Sequence, residues 1–433
     1  MTARKMQTSV LALAAACAWA VPAQAEDADT AALRQQLSEM RAQMAAMAEQ
    51  MNAMQSRLDS AQAKAEAAED AANDAAQTAQ VAAATAADAK AESDTTGAFA
   101  KAAKWAADTK ISGRMYYNVS SVNAKDAAGN KVESDGGFEL KRFYLGVDHK
   151  FDDTFAGNVT MDVSPVDNGG KAVGYGFYIK KAYLEAKLAK ELKLRLGSAD
   201  MPWIPYVEGV YGYRHIEKTL TDLDSFGTSA DWGVHASGDL ADGVVSYQVS
   251  AVDGAGYREP KFTETIDFEG RISAKFGGFN VAVGGYTGEL GKDVTGAAPY
   301  RTATRFNAML AYKDEIAGMP VTIGGEYFTA KNWKVLQAAP KDKAEGYSLF
   351  ASIAPVEQWS VFGRLDHIEP FKNSAPLMQD DFMMFGVQFS PATIVDFALV
   401  YKRDNADGGL KIGNLGSGQE KRDEVGLYGQ FRF

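Results

Sequence analysis

The sequence predicts an all-β transmembrane barrel of 16 antiparallel strands preceded by an α-helical coiled coil. Three observations predict it. A heptad repeat runs from Leu33 to Ala89, a period-two alternation runs from Lys110 to the last residue, and short turns alternate with long loops throughout that second part. Composition sets the outer bounds. The 433 residues carry 45 basic against 56 acidic side chains, a net charge of −11, which excludes a basic phosphate-gripping surface and makes nucleic acid an unlikely partner class. The single cysteine, Cys17, excludes intramolecular disulfides and cysteine-cluster metal sites. After Val21 no apolar run approaches the roughly 20 residues of a membrane-spanning helix.

Arg4 and Lys5, the apolar run Val10 to Val21 and the small-residue site Ala23-Gln24-Ala25 predict a secretory signal peptide over residues 1–25, cleaved before Glu26. Cys17 then leaves with it; Ala14 stands where a lipoprotein anchor would carry a larger aliphatic residue. Cleavage takes two positive charges from −11 and leaves −13.

Residues 26–107 are predicted to be a periplasmic coiled-coil region. Its seam runs through Leu33, Leu37, Met40, Met44, Met47, Met51, Met54 and Leu58 and continues in alanine from Ala61 to Ala89. A sustained seven-residue period requires partner helices, because only a left-handed supercoil keeps such a seam inward. The alanine half buries less per heptad and is also compatible with a solvated single helix. At about 1.5 Å per residue the seam would be a rod on the order of 85 Å long.

Residues 108–433 are predicted to be the outer-membrane β-barrel. Ile111, Gly113, Met115, Tyr117 and Val119 alternate with Ser112, Arg114, Tyr116 and Asn118, and Trp359, Val361, Gly363 and Leu365 alternate with Ser360, Phe362, Arg364 and Asp366. Lipid outside and water inside would give this pattern, and so would a sandwich with one wet face. The connections separate the two. Short turns at Phe151-Asp152-Asp153, Ala189-Lys190-Glu191, Ala241-Asp242-Gly243, Gly277-Gly278, Ile316-Ala317-Gly318, Pro355-Val356-Glu357 and Pro391-Ala392 alternate with longer loops near 123–137, 165–175, 200–229, 253–263, 290–302, 330–345, 367–380 and 403–421. Seven turns and eight loops make fifteen connections and sixteen strands, and an even count puts both barrel ends on the periplasmic side. The final strand places Val425, Leu427, Gly429, Phe431 and the terminal Phe433 on one face, resembling the aromatic-terminated closing strand of outer-membrane proteins.

Phe138 to Val147, Ile179-Lys180-Lys181-Ala182-Tyr183-Leu184-Glu185 and Leu192-Lys193-Leu194-Arg195-Leu196-Gly197 resemble early strands of the phosphate-selective porin O and P family. Tyr211 to Lys218, leading into Asp231-Trp232-Gly233-Val234, is similar to the loop and strand that follow there. The resemblance is strongest over residues 110–240. It implies a trimeric porin with an anion-preferring channel, with small anions or other small hydrophilic solutes as cargo, outer-membrane lipid around it and no cofactor.

A porin does no chemistry, so the charges lining its lumen are its site. Alternation points Arg114, Arg142, Lys181, Lys187, Lys193 and Arg195 inward on the first five strands, against Asp148, Asp162 and Glu185. Later strands nearly balance: Arg271, Lys275, Arg305, Lys313, Arg364, Lys402 and Arg432 meet Asp231, Asp239, Asp267, Glu269, Glu326, Asp366, Asp396 and Glu424. The loop Asp200 to Ser229 is the longest connection and is rich in apolar and aromatic residues, as expected of a loop folded inward to form the constriction. Arg214, His215 and Lys218 would be its basic contacts. The four histidines have no nucleophile or metal spacing, so an outer-membrane enzyme is not expected, and no metal site is expected either. A structural alternative makes the coiled coil a tether to peptidoglycan or another wall component and the barrel its anchor.

Overall fold

A computed structural model describes residues 28–91, 96–167, 172–297, 300–334, 341–407 and 410–433. The predicted signal peptide and Cys17 lie outside them, as does the side chain of Leu33. Two compact units form, Met1–Phe99 and Ala100–Phe433. In the first, α1 (Ala28–Ala91) is one helix of 64 residues. Gln35–Glu39, Gln55–Asp59 and Gln62–Glu66 hydrogen bonds, each four residues apart, brace its polar faces. Its Leu and Met seam stays exposed on the single helix, from 48% at Leu37 to 67% at Met51.

The second unit begins in α2 (Thr96–Ala107) and becomes sixteen strands: β1 (Thr109–Lys125), β2 (Lys131–Lys150), β3 (Phe155–Asp167), β4 (Ala172–Ala189), β5 (Leu192–Asp200), β6 (Ala230–Leu240), β7 (Val245–Val252) and β8 (Asp267–Phe276), then β9 (Phe279–Gly288), β10 (Ala303–Ile316), β11 (Met319–Lys331), β12 (Lys343–Val356), β13 (Trp359–Glu369), β14 (Asp380–Ala392), β15 (Val395–Ala406) and β16 (Lys421–Arg432). Each strand pairs antiparallel with its neighbours in sequence, and β1 pairs with β16 to close the barrel. Closure leaves no free sheet edge. The register Met115↔Phe431, Val119↔Leu427 keeps the outward residues of the first and last strands on one face.

Outward positions form an apolar surface that includes Ile272, Leu310, Ile323, Leu349, Leu365, Phe385 and Leu399, all exposed. Their inward neighbours, such as Met309, Phe350, Arg364 and Met384, are buried. A closed cylinder that is greasy outside and satisfies its backbone internally is suited to hydrocarbon.

The turns fall where the sequence puts them, with two differences. Pro355 and Pro391 sit in register shifts, between Ile353 and Val356 and between Phe389 and Ala392, and the turns follow them. Proline has no ladder N–H, so it is tolerated at such a bulge, one step ahead of the turn that it seemed to mark. The expected loop 123–137 shrinks to Asp126–Asn130, because β1 and β2 stay paired out to Lys125 and Lys131. Beyond the hydrocarbon zone both faces are wet and alternation no longer marks a strand.

Leu365→Arg should reduce the folding free energy into phospholipid vesicles by about 2–4 kcal/mol, read from urea titration of refolding. An unchanged midpoint would mean that this face does not meet lipid.

Candidate functional site

The loop from Asp200 to Ser229 folds into the barrel. This agrees with its composition: Trp203, Ile204, Val207, Val210, Tyr211, Tyr213 and Ile216 meet Ala282, Met309, Ala311, Phe350, Phe362, Met384, Val400 and Tyr428 of the wall and all become buried. Two short helices shape it, α3 (Ile204–Tyr211) and α4 (Leu220–Leu223). Pro205 is placed at the start of α3, where its missing N–H costs nothing, and Gly212 ends that helix at φ +88. Tyr213 stacks on Phe362 with centroids 4.2 Å apart, and Tyr211 meets Phe350 edge-on at 5.5 Å.

Polar groups of the loop are matched by wall side chains around most of the circumference. Trp203 N donates to Glu269 (2.9 Å) and its Nε1 to Glu326 (2.6 Å), while Arg271 Nε donates to the Pro202 carbonyl (2.8 Å). Arg305 and Arg364 donate to the carbonyls of Phe226 and Lys218. At the loop's far end Lys141 of β2 and Lys402 of β15 both donate to the Ile216 carbonyl, at 2.9 and 3.2 Å, and Lys402 pairs with Glu217 at 2.9 Å. Burial works to raise the Glu217 carboxyl, but Lys402 and Lys141 outweigh it and hold Glu217 well below the usual range. The loop therefore reaches from β5 across to both sides of the β1–β16 closure.

The space it leaves lies against the β1–β5 wall. A cavity of about 840 Å³ toward the short-turn mouth is lined by Lys110, Arg114, Tyr116, Tyr144, Lys180, Lys181, Arg214 and Arg432, among others. A second, of about 300 Å³, opens toward the long loops between Arg142, Lys218, Asp222, Tyr257, Arg258 and Glu259. Arg214 lines both.

Several basic groups there are already matched. Arg142 pairs with Asp162 at 2.9 Å, Lys181 with Asp200 at 3.0 Å and Arg195 with Glu185 at 2.8 Å. Arg214 pairs with Glu208 at 2.5 Å and with Asp222 at 3.6 Å. Burial raises the Glu208 carboxyl against the pull of Arg214. Arg114, Lys180 and Lys218 line the cavities without a carboxylate partner among the described residues; Lys180 instead sits 4.7 Å over the Tyr144 ring, and Arg258 sits 4.6 Å over Tyr178.

The sequence-derived set is thus only partly assembled. Arg114, Arg142, Lys181 and Arg214 converge on the open space with Lys218. Lys187 and Lys193 face each other beside the turn at Lys190-Glu191 and line neither cavity, and Arg195 is held on Glu185. His215 also lines the larger cavity; it is buried beside Tyr116, Tyr213 and Gln430, and burial pushes its pKa down to about 4. Strict alternation also missed Lys141 and Lys180. Each is the extra residue of a β-bulge, opposite the Tyr116/Tyr117 and Thr160/Met161 steps, and each is thereby turned inward. The signal was readable: outward apolar positions run 138, 140, then 143, 145, and likewise 177, 179, then 182, 184, skipping one residue at the doubled charge.

No protein-family model matches the chain, and no curated protein matches it. Solved structures do. An anion-selective porin from Comamonas acidovorans is 13% identical with a TM-score of 0.56, covering 75% of this chain and 99% of that one. OmpF of Salmonella typhi, in a complex with daunomycin, is 11% identical with a TM-score of 0.54, covering 75% and 97%. The outer membrane channel DcaP of Acinetobacter baumannii is 12% identical with a TM-score of 0.50, again covering 75% and 97%. The fold is that of the outer-membrane porins.

The burial of neutral His215 has a pH consequence. Its unfolded form takes a proton near pH 6.5 and its folded form only near pH 4, so stability is lost as pH falls between those values, by on the order of 1–3 kcal/mol. The melting midpoint in detergent should fall over that window, and His215→Gln should flatten the difference.

Proposed function

We propose that the chain is an outer-membrane porin that lets small hydrophilic solutes diffuse passively, with a preference for small anions. The observation that carries this reading is the pair of cavities meeting at Arg214, lined by cations of which Arg114, Lys180 and Lys218 have no carboxylate partner among the described residues. Paired charges nearly cancel at a distance, whereas an unpaired ammonium in a narrow low-dielectric passage raises the local concentration of anions. The same ledger argues for a moderate preference, because Glu208 and Asp222 offset Arg214. Inorganic phosphate is the first solute to try, given the sequence resemblance to the phosphate-selective porins.

Lys180→Glu tests this best. Arg214→Glu would gather three carboxylates and unseat the loop, whereas Lys180 holds no carboxylate whose partner would be lost. In planar bilayers with a potassium chloride gradient, the anion-to-cation permeability ratio should fall several-fold in Lys180→Glu, with conductance retained. An unchanged reversal potential would remove this wall from the selectivity argument.

The sequence pattern of residues 1–25 supports export, and we read the barrel as lying in the outer membrane and α1 in the periplasm. The exposed Leu and Met seam of α1 favours self-association, which we read as a homotrimer. A role for α1 as a tether to peptidoglycan is compatible with this. Met47→Glu should lower the crosslinked trimer yield and its thermal midpoint, because a charge at a seam position must be desolvated in the bundle. Removing residues 26–107 should leave single-channel conductance intact; its loss would make α1 part of the channel.

A further inference from the structure

The in-folded loop leaves a third space, on the side away from the β1–β5 wall. A recess of about 470 Å³ lies toward the long loops between Ser225–Thr228 of the third loop, Gly254–Gly256 of the next, and the side chains Tyr286, Lys292, Trp333 and Lys334. It adjoins the 300 Å³ cavity, since Gly227, Thr228, Ala255 and Gly256 line both. The partition is tight: a Cβ on Gly256 would stand 3.2 Å from Thr228 Oγ1.

The recess has a buried floor. Its floor is Arg305, whose Nε donates to Asn307 (2.7 Å), whose Nη2 pairs with Glu269 (2.7 Å) and whose Nη1 donates to the Phe226 carbonyl. That guanidinium ties the wall to the loop, and Ile204 lies directly below, 2.9 Å from where a Cβ on Gly227 would be.

The chemistry of the lining is one-sided. Among the described residues Glu269 is the only carboxylate that lines it, and it is committed to Arg305, both side chains being 2% exposed or less. Lys292 and Lys334 have no carboxylate partner among the described residues; Lys292 bonds the Tyr300 hydroxyl (2.9 Å) and Lys334 the Asp224 carbonyl (2.6 Å), which leaves each ammonium further N–H donors. Trp333 and Tyr286 also line it, edge to face with centroids 4.9 Å apart and with the Arg305 guanidinium 5.1 and 5.7 Å from their rings, and Leu290 lies alongside.

We propose that this recess is a binding site for a small organic solute that carries an oxyanion group on a flat apolar body. Lys292 and Lys334 hold the oxyanion, and Trp333 and Tyr286 hold the body. Charge without an apolar body leaves the aromatic side unused, and an apolar body without charge leaves the two ammonium groups unused, so both parts are needed. The site holds solute beside the entrance to the passage and outside it. Its occupation does not depend on the ion preference proposed above.

Equilibrium dialysis of the full chain in detergent tests this, with phenyl phosphate as the probe and inorganic phosphate and phenol as separate arms. Phenyl phosphate should bind saturably, and each partial probe at least ten-fold more weakly. Lys292→Glu, an exposed loop residue with no ion pair, should weaken phenyl phosphate at least ten-fold, and Lys334→Gln about three-fold. The reversal potential of Lys292→Glu in a potassium chloride gradient should stay that of the wild type. Absence of saturable binding, equal binding of inorganic phosphate, or indifference to both substitutions overturns the proposal. So does a shifted reversal potential, which would place Lys292 on the conducting path. A barrel that binds phenyl phosphate yet passes no current would overturn the channel reading and leave this one standing.

Discussion

Hydrocarbon accepts no hydrogen bonds, and that constraint shapes nearly everything in the second unit of this chain. A sheet placed there must pair every backbone N–H and C=O within itself, so it must close, and closure of β1 on β16 achieves it. Once closed, a strand has two unlike solvents on its two faces, and the alternation of residues is forced. The short turns, long loops and even strand count follow from threading one chain back and forth through such a wall.

Closure also creates a problem that the third loop solves. A cylinder of sixteen strands has an interior too wide for its own side chains to fill. The loop brings a second apolar surface into that space and buries it against the wall, while a ring of arginine, lysine and glutamate side chains satisfies its carbonyls and N–H groups. Such buried polar contacts are costly when one partner is missing, which makes the seat specific as well as stable. The open space is what the loop does not cover.

Electrostatics in that space depends on pairing more than on counting. The lumen holds many charges of both signs, and Arg142, Lys181, Arg195 and Arg214 are each neutralised within a few ångströms, by Asp162, Asp200, Glu185 and Glu208. The cations left without a carboxylate, Arg114, Lys180 and Lys218, dominate the local field in the cavities. Two β-bulges matter here out of proportion to their size, because they bring Lys141 and Lys180 to the inside. One of these clamps the loop, and the other lines the larger cavity against the Tyr144 ring.

The sequence by itself determined the helical repeat, the alternation, the positions of the turns and the strand number, since each is a local or periodic property that solvent contact writes directly into residue order. It also determined that the loop from Asp200 to Ser229 had to be covered, because its apolar content is incompatible with water. Only the tertiary structure decided which wall that loop covers, that His215 is buried and neutral, and that Arg142, Lys181 and Arg195 are tied to carboxylates. Those outcomes depend on which distant residues meet across the lumen. A face assignment tells which way a side chain points, and the partner it finds there is fixed by the packing of strands and loop far apart in the chain.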